Sequence, residues 1–188
     1  MSLAAESATS LYGAFRLARF DPHGMDYFNA GPSGFWRSFW AAVIIAPFYA
    51  ILLATAYPSL ETSRDPVRFA LIEGIAYVTA WVAYPLAMAW VTRQLDRFHY
   101  FIGYIVAYNW AAVLQNAVFI PINVLWMTGM LPPDVGFMLW LIAFSLILAY
   151  LWFIARTALA LAPMAAAGIV GIDLVLNVMI SAVANTMR

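Results

Sequence analysis

Three asparagines, Asn109, Asn116 and Asn123, recur at an interval of seven inside an apolar stretch from Tyr100 to Trp126. Seven residues return to nearly the same helix face, drifting by only about 20°. The amides therefore form one stripe roughly 21 Å long, most of a hydrocarbon core about 30 Å thick. Hydrocarbon satisfies no amide, so the stripe is expected to turn inward and gather other helices around it. Interhelical hydrogen bonding is the expected role; lining a pore is the alternative.

Two carboxylates add charge to this seam. Asp173 lies about 13 Å along another apolar stretch, with Asn177 one turn on. A carboxylate at that depth faces a bundle interior, a partner or water. Asn109 has a similar depth and is the expected partner of Asp173. That pairing serves either as protonated glue between helices or as a proton or ion site. Glu73 lies roughly 9 Å inside its own stretch and shares a helix face with Tyr77, Ala80 and Tyr84. It can reach Asn116 or Asn123, bond to Tyr77, or snorkel to the headgroups.

Other chemistry has little support. His23 and His99 fall in short loops without a spaced set of metal ligands. There is no cysteine, no phosphate-binding glycine loop, no nucleophile elbow and no HExxH motif. No metal site and no cofactor are expected. Trp36, Trp40, Trp90, Trp126, Trp140 and Trp152 sit near the ends of apolar stretches. That is an interfacial aromatic belt rather than a cofactor box.

The elements that must position these residues follow from composition. The 188 residues are 65% hydrophobic and 10% charged, with a net charge of zero. A soluble domain carries about 25% charged residues. The expected fold is all-α, a polytopic membrane bundle of five transmembrane helices with a short N-terminal interfacial helix. The spans are expected at about 35–57, 67–91, 100–126, 135–154 and 164–187, after a cytoplasmic segment 1–34. Pro47, Pro85 and Pro121 interrupt three of them. Pro121 deprives the Ala117 carbonyl of its usual donor, and Asn116, Asn123 or a buried water is expected to replace it.

Within segment 1–34, Leu11 to Phe20 places Leu11, Ala14, Phe15 and Ala18 on one helical face, with Arg16 and Arg19 turned away. Asp21-Pro22-His23-Gly24 and Gly31-Pro32-Ser33-Gly34 read as breakers. In the last span, Ala167, Gly168 and Gly171 are small enough for close helix contact. With the N-terminus inside, Arg16, Arg19, Arg37, Arg93, Arg97 and Arg156 lie inside, while Arg64, Arg68 and Arg188 lie outside. This asymmetry favours N-inside, C-outside in a bacterial inner membrane.

The aromatic entry Phe35-Trp36-Arg37-Ser38-Phe39-Trp40, five closely spaced spans and Ala165-Ala166-Ala167-Gly168 in the last of them give a layout that resembles the Yip1 family of five-span membrane proteins. The resemblance covers roughly residues 30–187 and implies no site residues. The absence of a catalytic set points away from an enzyme. The expected function is an integral membrane scaffold or accessory subunit acting through helix–helix and lipid contacts, as a homo-oligomer or with a membrane-protein partner. Nothing suggests nucleic acid. The alternative is a small oligomeric transporter or channel, with Asp173 and Glu73 titrating along the asparagine seam. A third reading is a lipid-directed enzyme using His23, Asp26 or His99.

Overall fold

Backbone amides and carbonyls in hydrocarbon must be paired within their own segment, so long apolar stretches close into helices. A computed structural model describes residues 2–57 and 65–187 and shows this outcome. The helices are α1 (Leu3–Ala18), α2 (Pro32–Ser38), α3 (Trp40–Ala56), α4 (Pro66–Gln94), α5 (Phe101–Met127), α6 (Pro133–Ala158) and α7 (Pro163–Met187). No strand occurs among the described residues. The segment α2–α3 and each of α4 to α7 are long and apolar enough to cross a membrane. The fold is therefore an all-α bundle with five helices of spanning length.

The observed helices outrun the expected spans at several ends. Proline explains the starts. Pro32, Pro66, Pro133 and Pro163 each open a helix, where the missing N–H costs nothing and the fixed φ suits the first turn. Gly31-Pro32-Ser33-Gly34 thus begins α2 instead of acting as a breaker. Pro47, Pro85 and Pro121 lie inside continuous helices. The reversals after α1, α4 and α6 use Phe20, Asp96 and Ala160 at positive φ (59°, 55° and 49°). At each, the next residue's N–H returns to the helix: Asp21 to Arg16, Arg97 to Thr92 and Leu161 to Arg156.

The helix α5 is the hub. It packs against α1, α2, α3 and α6, and more lightly against α4. Helices α6 and α4 both pack on α7. Tyr104, Ile105, Ala107 and Trp110 of α5 are nearly or wholly buried, with Met88 of α4 and Ile154 of α6 in the same core.

The N-terminal helix departs from expectation. It runs from Leu3, well before Leu11, and it docks on α5 and α6. Its buried stripe is Glu6, Ser10, Gly13, Ala14 and Leu17. Of the expected face, only Ala14 is deeply buried, while Phe15 and Ala18 are exposed. Small residues explain the rotation. Gly13 meets Gly24 of the following 3₁₀ turn (Pro22–Tyr27) so closely that a Cβ on Gly24 would lie 2.6 Å from the Gly13 carbonyl oxygen. The Tyr150 hydroxyl of α6 donates to the Ala14 carbonyl at 2.7 Å. The element is a docked cap on one end of the bundle.

That cap is tied by charge. Glu6 is buried and pairs with Arg37 of α2. Asn29 Nδ2 donates to Glu6 Oε1 at 3.1 Å. Burial opposes the Glu6 charge, but the hydrogen bonds from Arg37 and Asn29, with the Arg37 charge, outweigh it and hold the carboxyl below its ordinary value. Arg16 pairs with Asp21 across the α1 reversal and donates to the Tyr27 hydroxyl at 3.0 Å.

Candidate functional site

A cavity of about 450 Å³ lies within the bundle, bordered by α3, α4, α5, α6 and α7. Its origin is visible in the packing. Helices α3, α5, α6, α7 and α4 pack in that order around it, each on the next. Across the cavity they are joined by tyrosine side chains, whose hydroxyls reach farther than aliphatic residues. Tyr49 of α3 donates to Glu73 Oε2 of α4 at 3.0 Å. Tyr77 of α4 donates to the Ala42 carbonyl of α3 at 2.7 Å. Tyr84 of α4 shares a hydrogen bond with Tyr104 of α5. Tyr108 of α5 donates to Asp173 Oδ1 of α7 at 2.7 Å.

The cavity collects most of the predicted seam. Glu73, Tyr77, Tyr84, Asn109, Asn116, Asp173 and Asn177 all line it. Asn123 does not, because it lies two helical turns beyond Asn116, past the lined region. Glu73 is seven residues past Pro66, about 11 Å along α4. Asp173 is ten residues past Pro163, about 15 Å along α7, near mid-bilayer depth.

The asparagine stripe divides in its bonding. Asn109 donates across to Ser38 Oγ at 2.8 Å, and both residues are buried. Asn116 and Asn123 instead donate to carbonyls one turn back on their own helix, Ala112 at 2.8 Å and Phe119 at 2.7 Å. Neither amide turns to the Ala117 carbonyl left by Pro121. Asp173 and Asn109 line one cavity but use different partners. Asp173 accepts from Tyr108 and from Asn177 Nδ2, the latter at 3.1 Å.

Both described donors fall on Asp173 Oδ1, and no described donor reaches Oδ2. The residue is only 6% exposed. Among the described residues, no arginine or histidine lines the cavity. Its wall holds the rings of Tyr49, Tyr77, Trp81, Tyr84 and Tyr108, with Tyr84 stacked on Tyr108 at 4.3 Å and Tyr49 on Tyr77 at 5.0 Å. Tyr49, Trp81 and Tyr108 were not anticipated as part of the site. The available signal was their position well inside spans, away from the aromatic belt.

The remaining candidates lie elsewhere. His23 faces Asp26 at 3.5 Å, both largely exposed on the 3₁₀ turn. His99 packs on Tyr100 at 3.9 Å between ring centroids. Neither histidine lines the cavity. Among the described residues no group of three or more histidine and acidic side chains is placed to hold a metal. In α7, Ala167 and Gly168 are exposed, and a Cβ added to Gly168 or Gly171 would meet no atom within 4 Å. The expected close helix contact at Gly168 and Gly171 is thus not made within the chain, because α7 turns them away from α4 and α6.

No protein-family model, curated protein or solved structure matches the chain.

Proposed function

We propose that this chain is a small membrane transporter or channel that holds a solute in the cavity between its five long helices. One observation carries the reading: both intramembrane carboxylates, Glu73 and Asp173, line the same cavity, at different depths along it. Burying a carboxylate in hydrocarbon is costly and tends to mark a solute or ion path. A scaffold alone would be more stable with the space filled by apolar side chains. The size suits one small organic molecule, since ligand sites commonly measure about 300–1,000 Å³.

Native mass spectrometry of the protein gently extracted from its own membrane tests this. A small-molecule adduct on the wild type, absent from a cavity-filling Ala112→Trp variant, is expected. The released molecule should then move across proteoliposomes containing wild type but not Asp173→Asn. A wild type without any such adduct, or an Asp173→Asn variant with undiminished flux, would overturn the reading.

The scaffold or accessory-subunit reading has its own support in the open small-residue face at Gly168 and Gly171. A second helix can approach closely there. Retention of a second polypeptide or a second copy in the same spectra, with no small adduct, would favour it.

A further inference from the structure

Resting on the reading above, we infer that the occupant of the cavity is a hydrophobic organic cation, seated with its positive centre at Asp173 Oδ2 and its apolar groups against the tyrosine-rich wall.

The charge follows from the lining. Among the described residues, Asp173 and Glu73 border the space and no basic side chain does. An anion there would meet like charge in a low-dielectric setting, whereas a cation meets opposite charge that water screens poorly. The position follows from the hydrogen bonds. Tyr108 and Asn177 both donate to Asp173 Oδ1, which leaves Oδ2 of this residue, 6% exposed overall, without a described donor. A bound cation supplies the missing partner.

The organic character follows from what surrounds that oxygen. The wall offers ring surface, including Trp81 and the stacked pair Tyr84–Tyr108. Aromatic faces attract cations with diffuse charge, and apolar substituents gain by leaving water.

Two probes of one shape and opposite charge separate the possibilities. Tetraphenylphosphonium and tetraphenylborate are titrated into the protein in phosphatidylcholine nanodiscs, with binding to empty nanodiscs subtracted. Saturable tetraphenylphosphonium binding is expected, at least about tenfold tighter than tetraphenylborate. Asp173→Asn keeps the side-chain shape and an oxygen for Tyr108, and is expected to weaken tetraphenylphosphonium about tenfold or more. The comparison of the two probes on the wild type needs no variant, so a misfolded variant cannot rescue the inference.

Equal binding of both ions, or a preference for tetraphenylborate, would overturn the cation assignment. If that binding vanished in Ala112→Trp, the solute cavity itself would stand. Tetraphenylphosphonium affinity unchanged in a folded Asp173→Asn would remove Asp173 as the seat. Saturable binding of neither ion would overturn the inference, and the native adduct measurement would then decide the cavity reading on its own.

Discussion

Removing Arg37 should loosen the N-terminal cap more than neutralising its partner Glu6. The two sides of this ion pair differ in burial: the Glu6 side chain is 6% exposed and that of Arg37 is 42% exposed. In Glu6→Gln the amide keeps the volume and can still accept from Asn29 or Arg37. The guanidinium then relaxes toward water, so the loss is about 1 kcal/mol, that of one charge-assisted bond. In Arg37→Met the carboxylate stays buried, with Asn29 as its remaining described hydrogen-bond donor. Uncompensated buried charges cost about 3–5 kcal/mol, and the half-exposed partner places this site at or below the lower end, about 2–3 kcal/mol. Two kcal/mol raises an opened population by about thirtyfold.

Hydrogen exchange of α1 amides in nanodiscs at neutral pH reads this directly, because local opening of the cap exposes Leu3–Ala18 without unfolding the spans. Arg37→Met should speed exchange of α1 well beyond Glu6→Gln, and the double variant should fall back toward Glu6→Gln. The pH dependence has a fixed sign. Glu6 titrates lower in the folded protein than in the unfolded chain, where a glutamate titrates near about 4.3. Its contribution is therefore fully present above that value and is lost as pH falls through the folded pKa. Wild-type α1 should undock on acidification into that window, and Glu6→Gln should be less sensitive there. Equal exchange in the two single variants, or faster exchange in Glu6→Gln, would refute the argument from unequal burial.

Three further outcomes follow from the geometry. Asn109→Leu removes the donor to the buried Ser38 hydroxyl oxygen and should lower the thermal midpoint, by roughly 1–3 kcal/mol of stability, whereas Asn116→Leu and Asn123→Leu should each cost well under about 1 kcal/mol, as read by parallel melts. Gly24→Ala would drive a Cβ to 2.6 Å from the Gly13 carbonyl and 2.8 Å from Leu17 Cγ, and limited proteolysis should then cut within α1 at protease levels the wild type resists. Ala160→Gly should raise thermal stability by about 1 kcal/mol, since Ala160 holds φ 49° at the α6–α7 reversal, where glycine carries no Cβ penalty.

The parts of this structure legible in the sequence are those that solvent imposes. A bilayer demands long apolar helices, so five spans could be counted from composition and turn residues. The position of α5 as hub was legible in the same way, because a stripe of amides has to face protein. Partner choice was not legible. Period seven places Asn109, Asn116 and Asn123 on one face, but it does not say that Ser38 reaches only the first. The other two satisfy themselves on their own backbone.

Glu6 was passed over for a related reason. A lone carboxylate carries no periodic signal, and its partner Arg37 is distant in the chain. On α1 the search for large apolar residues selected the wrong face. The buried face is built on Ser10, Gly13 and Ala14, whose small size allows backbones to approach, so the larger Phe15 is left outside. The arginine count that suggested orientation rests partly on Arg64 and Arg188, and with Glu61 these lie outside the described residues.

The cavity shows why seam and site are different inferences. Sequence periodicity identifies polar groups that avoid lipid, and a tight bundle meets that requirement as well as an open one. What opens this bundle is tyrosine. Each hydroxyl sits a full ring's length from its backbone, so Tyr49, Tyr84 and Tyr108 bond across a gap that shorter side chains could not bridge. Replacing such a tyrosine with phenylalanine removes the bond and keeps the ring, while a shorter polar residue would require the helices to close. The space between α4, α5 and α7 is therefore set by tyrosine reach, and the two carboxylates are held at its wall by the same hydroxyls that keep it open.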